Sequence, residues 1–199
     1  MQAKTASVRP RVEGAREGEI LDATFDLLAE VGYDRLTLDA VASRAKAGKA
    51  TLYRRWDDKC SLVIDALLRA KGAPPAAVPD TGSLRGDLLA LACGQGALTS
   101  AQPLSVLAGV ITAIQLDAKF AHEFRTRFIG PKVEASKVAY ERAKERGEIS
   151  PDIDVDLLAP ALAGIILHRL FLLDLPNDED SVERVIDEII LPAATRLTS

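Results

Sequence analysis

Cysteine is nearly absent. Cys60 and Cys93 are the only two, and no Cys-x-x-Cys pair occurs. That excludes a disulfide scaffold and a zinc knuckle, and both thiols read as reduced and cytoplasmic. Histidine is equally scarce: His122 and His168 stand apart, so neither a metal cluster nor a Ser/His/Asp arrangement is legible. There is no glycine-rich phosphate loop, so nothing calls for a cofactor or for an enzyme. Aromatics are 5% of the chain, and no segment has the alternation of a strand. The longest apolar run, from Leu157 to Leu167, is 11 residues and contains Pro160. A membrane span needs roughly 20. The first residues, MQAKTASVRPRVEGAREG, lack the apolar stretch of a signal peptide. The expectation is a soluble, cytoplasmic protein with no membrane partner.

What is present is helix-forming. The chain is 48% hydrophobic, enough for a real core, and Ala and Leu dominate it. The net charge of −4 is uneven: residues 1–59 carry 11 Lys+Arg against 10 Asp+Glu, and the rest 14 against 19. Binding to a polyanion is a local matter, and the positive charge concentrates locally. Between Arg44 and Arg55 stand Arg44, Lys46, Lys49, Arg54 and Arg55 with no acid, interleaved with Thr51 and Tyr53.

Residues 1–16, with Lys4, Arg9, Arg11 and Arg16, read as a frayed tail or as a basic arm. A first helix is expected over Glu17–Val31, stopped by Gly32. Thr37 is a good N-cap for a second helix over 38–45. Lys46-Ala47-Gly48 is a turn, and a third helix follows to Arg55. Asp57-Asp58 caps a fourth from Lys59. The proline-rich Gly72–Gly82 segment is a loop. Ser83 opens a fifth helix to Thr99, and Pro103 a sixth to Leu116. A seventh spans Lys119–Arg146, where Gly130-Pro131 should kink or split it. The stretch 156–174 is apolar nearly all round, so it should be covered on most sides. Asp180 with Glu183 resembles a capping box for a last helix, 181–195. The fold class is all-α, with about nine helices. The division is 1–60, an arm and three-helix helix-turn-helix domain, and 61–199, a larger helical domain.

A helix-turn-helix lays its second helix in the major groove. Ala50 and its neighbours at the start of that helix would face base edges. Lys49 can reach guanine acceptors or phosphate. Thr51 can donate to phosphate or touch a thymine methyl, and Tyr53 can donate its hydroxyl to phosphate. Arg54 and Arg55 add charge. Thr37, at a helix start, suits a phosphate too. Leu52 should be the inward anchor, and Trp56 is expected in the core.

The run KATLYRRWDDKCSL, preceded by Gly32-Tyr33 and the Thr37-capped helix, resembles the tetracycline-repressor-like (TetR) family of regulators. Lys49, Thr51, Leu52, Tyr53, Trp56 and Lys59 match its pattern position by position. The resemblance implies that Thr37, Lys49, Thr51, Tyr53 and Lys59 face DNA. Lys46 stands where the family usually has glycine, and Gly48 where it often has serine. The segment RGEISPDIDVDLLAPALAGIILHRLFLLD is similar to part of a family subgroup. The resemblance implies an all-α homodimer paired through its last two helices, about 156–174 and 181–195. It also implies a palindromic double-stranded DNA operator and release by a small-molecule effector held among the middle helices. Cys93, Gln95, Thr99, Gln115, His122 and His168 are polar or polarisable residues within apolar helices, and so are candidates to line a largely apolar pocket. The competing reading is a dimeric small-molecule-binding protein without DNA function.

Overall fold

The computed structural model describes residues 11–71, 77–94 and 104–195. Helix begins at Arg11, earlier than the expected Glu17, so α1 spans Arg11–Arg35. Its early turns are charged and carry the intrahelical pair Arg16–Glu19; they lack the apolar periodicity by which a helix start is read. Lys4 and Arg9 lie outside the described residues. Ile20, Leu21, Leu27 and Leu28 form the buried face of α1. Within that face the Thr24 hydroxyl donates to the Ile20 carbonyl at 2.7 Å. Helical geometry breaks at Gly32, whose φ of 76° and ψ of 170° suit glycine alone. The break turns the chain so that Tyr33 and Leu36 enter the core.

Next come α2 (Leu38–Arg44), α3 (Lys49–Arg55) and α4 (Lys59–Lys71). Asp58 caps α4 by accepting the Ser61 N–H at 2.9 Å. Leu62, Val63, Ile64, Ala66 and Leu67 bury nearly every side of α4 except its ends. The same core continues into Val106, Val110 and Ala113 of α6 (Leu104–Leu116) and into Phe120 of α7 (Ala118–Glu123). The packing therefore does not stop at residue 60. With α1 to α4 taken as the head, helix α4 is the centre of its core, and α6 and α7 close it.

Two expected boundaries move. Helix α5, expected to reach Thr99, spans Leu84–Cys93 and ends where Gly94 takes an extended backbone; residues 95–99 lie outside the described residues. The expected break in the seventh helix at Gly130-Pro131 takes the form of a change of helix type without a gap. A π-turn, Phe124–Ile129, leads directly into α8 (Gly130–Glu145). The Gly130 N–H reaches back five residues to the Arg125 carbonyl, and Pro131 sits in the first turn of α8. The widened turn shifts the hydrogen-bond register where the proline donates nothing.

A second core gathers Leu84 and Leu88 of α5, Ala139 and Tyr140 of α8, Leu162 and Ile166 of α10 (Ala161–Leu173), and Val182 and Val185 of α11 (Glu179–Val185). A short α9 (Val155–Leu158) precedes α10, and the break between them falls at Ala159-Pro160. Together they are as long and apolar as a membrane span, yet α10 folds against α11 with Leu162 and Ile166 in the shared core. The expected covering is partial: Leu157, Leu172 and Leu173 are exposed, at 69%, 73% and 53%. The cap of α11 is Asp178, which accepts the Ser181 N–H at 2.9 Å. Asp180, the expected cap, is already in the first helical turn, because the extended backbone that a cap requires falls at Asp178. A second π-turn, Ile186–Ile190, leads to α12 (Leu191–Thr195). Counting each continuous rod once, and α9 with α10 as one, gives nine helices and no strand among the described residues.

Candidate nucleic-acid interface

Thr37 begins the site. Its backbone is extended, and its hydroxyl oxygen accepts the Ala40 N–H at 3.1 Å, which fixes the start of α2. The turn into α3 is carried by Lys46 at a φ of 50°. That left-handed conformation costs a side-chain-bearing residue about 1–2 kcal/mol. Replacing Lys46 with glycine removes the strain but frees the unfolded chain, by about 0.4–1 kcal/mol. The expected net outcome is a stabilisation of about 0.5–1 kcal/mol, read as a higher denaturant midpoint.

Gly48 precedes α3 in an extended conformation and offers no capping oxygen. The helix is held instead from within. Leu52 is fully buried, and Trp56, at its C-terminal end, is buried with its indole N–H donating to Asp65 at 2.8 Å. This anchoring turns the opposite face outward. Lys49, Ala50, Tyr53, Arg54 and Arg55 are exposed, with Tyr53 at 55%, and Thr51 is half-buried beside them.

Lys49 and Arg55 of this face, and Arg44 at the end of α2, are paired with acids of α1 and α2. Lys49 lies 2.6 Å from Asp39, whose hydrogen bond and charge raise its pKa. Arg44 grips Glu30 through both terminal nitrogens, at 2.8 and 2.5 Å, and this holds the Glu30 carboxyl below its usual range. Arg55 donates to Glu17 at 2.9 Å. Arg16 of α1 donates to the Lys46 carbonyl and so pins the strained turn. None of these acids stood out in the sequence, because each is 10 or more residues from its partner.

Lys59 is half-buried. Its ammonium donates to the Tyr33 carbonyl at 3.1 Å and sits 4.2 Å from the centroid of the Tyr33 ring. The Tyr33 hydroxyl in turn donates to Asp117, the N-cap of α7, at 2.9 Å. Burial first, then this hydrogen bond, pushes the Tyr33 hydroxyl above its usual range. The thiol of Cys60 is buried in the same region and pushed up to about 11, so it stays protonated and inert. Of the expected pocket residues, Cys93 is half-buried at the end of α5, while Gln115, His122 and His168 are exposed. Gln95 and Thr99 lie outside the described residues.

The match to known proteins follows this geometry. Residues 20–66 match the family described as bacterial regulatory proteins, tetR family. Residues 78–189 match the tetracyclin repressor-like C-terminal domain. The chain is 36% identical over 172 residues to the helix-turn-helix-type transcriptional regulator YdeS of Bacillus subtilis, covering 86% of this chain and 85% of that one. It is 31% identical over 176 residues to the DNA-binding transcriptional repressor TetR of Mycobacteroides abscessus, covering 88% and 92%. Among solved structures it superposes on the TetR-family regulator SCO0332 with a TM-score of 0.65 at 32% identity, covering 89% and 97%. Salmonella enterica GusR, at 13% identity and a TM-score of 0.70 over 92% and 99%, shows the same fold. With both family models and these relatives matched along most of its length, the chain belongs to the TetR family of helix-turn-helix transcriptional regulators.

Proposed function

We propose that the protein is a homodimeric repressor that reads a palindromic operator through α3 and releases it when a small-molecule effector binds. The observation that carries this reading is the outward face of α3, held by buried Leu52 and Trp56. In this reading Lys49, Ala50, Thr51 and Tyr53 meet base edges and nearby phosphates. Thr37, Arg44, Lys46, Arg54, Arg55 and Lys59 bind the flanking backbone. The two domains are 1–60 and 61–199, with α4 as the shared element.

Dimerisation rests on apolar surface. Leu157, Leu167, Leu172 and Leu173 of α9–α10 and Ile189 of the last rod are exposed in the single chain. That much aliphatic surface on two neighbouring rods marks an association site. A two-fold pairing there would set two α3 helices against successive major grooves, about 34–36 Å apart. The effector belongs among the middle helices, where half-buried Cys93 is the candidate polar contact. Its effect equals its differential affinity for the two arrangements of the dimer.

Selection of bound sequences from a random DNA pool tests the reading. The wild-type protein is expected to enrich a palindrome. Lys49→Ala and Tyr53→Phe are expected to weaken binding to it by about 1–3 kcal/mol if they contact bases, with an unchanged helical circular dichroism spectrum. A pool without an enriched sequence, together with variants that bind like the wild type, would leave a ligand-binding dimer without DNA function.

A further inference from the structure

Trp56 is the only tryptophan of the chain, and it stands where α3 ends. Its backbone is already extended, while its N–H still donates to the Leu52 carbonyl. The ring is buried, so the indole N–H needs a partner inside the fold. Asp65 of α4 supplies it. One carboxylate oxygen accepts the indole N–H at 2.8 Å, and the other accepts from the Arg127 guanidinium at 2.6 Å. Arg127 belongs to the π-turn Phe124–Ile129 and lies 62 residues beyond Asp65. One side chain on α4 therefore joins the end of α3 to the rod formed by α7, the π-turn and α8.

The same seam holds a second pair, which serves as a contrast. Asp58 accepts from Lys119 with one oxygen and caps α4 with the other, through the Ser61 N–H. Asp58 and Asp65 stand about two turns apart, and so do Lys119 and Arg127, where the widened turn takes up the extra residue. Both pairs are part-exposed, so neither adds much to overall stability. They differ in what the acid holds besides its base: Asp58 holds the start of α4, and Asp65 holds the end of α3. That second duty matters because α3 has only seven residues and no side-chain cap. A helix so short is not stable by itself, so its anchors decide where it lies. With Arg127 on one oxygen, the Asp65 carboxylate is fixed and its other oxygen stays aimed at the indole. Without Arg127 the carboxylate is free to turn toward water, and Trp56 is free to tilt. Tyr53, Arg54 and Arg55 directly precede Trp56 on the exposed face and would move with it.

We propose that Arg127 is a positioning residue for DNA recognition: through Asp65 and Trp56 it fixes the last turn of α3 from a rod outside the helix-turn-helix. This rests on the reading of α3 as the helix that meets the operator. It gives the π-turn a part in recognition that no residue of the basic window reveals, since Arg127 itself touches no DNA. Contacts to bases tolerate little displacement, so a small tilt of α3 suffices to weaken them.

The test uses the full chain and a labelled duplex carrying the palindrome that the wild type enriches from a random DNA pool. Arg127→Gln is expected to weaken binding about tenfold: about threefold per helix, as for a part-exposed ion pair, acting on both helices of a two-fold dimer. Asp65→Asn should match it, because it keeps an acceptor for the indole and loses the charge facing Arg127. Arg127→Lys should restore most of the affinity. Lys119→Gln, which breaks the neighbouring pair, should bind like the wild type even where it lowers the thermal midpoint as much as Arg127→Gln does. In a Trp56→Phe background, which has no indole N–H, Arg127→Gln should add no further loss. Without DNA, Arg127→Gln should shift the emission of the single tryptophan and speed amide exchange over residues 52–56, and Lys119→Gln should do neither. Wild-type affinity in Arg127→Gln, equal losses in Arg127→Gln and Lys119→Gln, or an undiminished further loss in the Trp56→Phe background would each overturn the proposal while leaving the repressor reading standing. A wild-type protein that enriches no palindrome would remove that reading, and the role of Arg127 in recognition with it.

Discussion

Phe120→Ala is expected to cost about 3–5 kcal/mol, the usual range for deleting a fully buried aromatic ring. Phe120 is fully buried, 4.6 Å from the ring of Tyr33 and 5.9 Å from that of Phe124. It stands in α7, some sixty residues beyond the recognition helix, yet its neighbours include the residue that follows the break in α1. The informative part of the prediction is where the damage falls. Amide hydrogen exchange should accelerate in α1 and α4 as much as in α7, because the three share one core. Fast exchange confined to residues 104–145 would show that the head holds itself together, and would contradict the continuity of that core. The substitution changes nothing on the face of α3, so any loss of operator binding should track the unfolded fraction.

Asp87→Ala is expected to be of similar size, about 3–5 kcal/mol, by a different mechanism. The side chain is fully buried. One carboxylate oxygen accepts the Thr81 N–H at 2.6 Å and the Thr81 hydroxyl at 2.8 Å. The other lies 3.5 Å from an Arg146 nitrogen and has no hydrogen-bond partner among the described residues. Around it Arg146 also reaches Glu148 at 3.3 Å, Glu148 accepts the Leu84 N–H at 2.7 Å, and Arg142 donates to the carbonyls of Val78 and Pro79. The cluster therefore clasps the segment before α5 onto the end of α8. Removing the carboxylate strands the Thr81 donors and leaves Arg146 facing a cavity. Asp87→Asn keeps the shape and one acceptor, so it should cost clearly less than Asp87→Ala. Denaturant midpoints for the pair, compared with wild type, check this. Equal midpoints for alanine and asparagine would mean that the shape of the clasp contributes nothing.

The helix-turn-helix was legible because its determinants are local. Thr37 caps three residues ahead, Leu52 and Trp56 are four apart on one helix face, and the basic window is continuous. Lys46 was legible too, since the position wants a left-handed backbone and the structure places it there. What escaped the sequence is separated along it. The Tyr33–Asp117 hydrogen bond spans 84 residues. No periodicity signals the π-turns, which hide inside patterns that read as ordinary helix. The cap of α11 slipped by two because Asp178 and Asp180 are equally good capping residues, and only the backbone conformation chooses between them. The pocket candidates were picked as polar residues in apolar helices, and Gln115 and His168 belong to the protomer surface.

The acids that hold Lys49, Arg44 and Arg55 have a consequence for how the protein meets DNA. A free duplex is dressed in condensed cations, and their release into solution drives association with a basic surface. Here the basic surface arrives already dressed, in anions that cannot diffuse away. In the reading proposed above, Asp39, Glu30 and Glu17 are left behind on the same molecule when their partners turn to phosphate, so part of the entropy gained by freeing ions is offset by charge that stays close to the duplex. Random genomic DNA, which offers only phosphate, is the ligand this penalises most. An operator that also supplies base contacts can outbid the tethered acids.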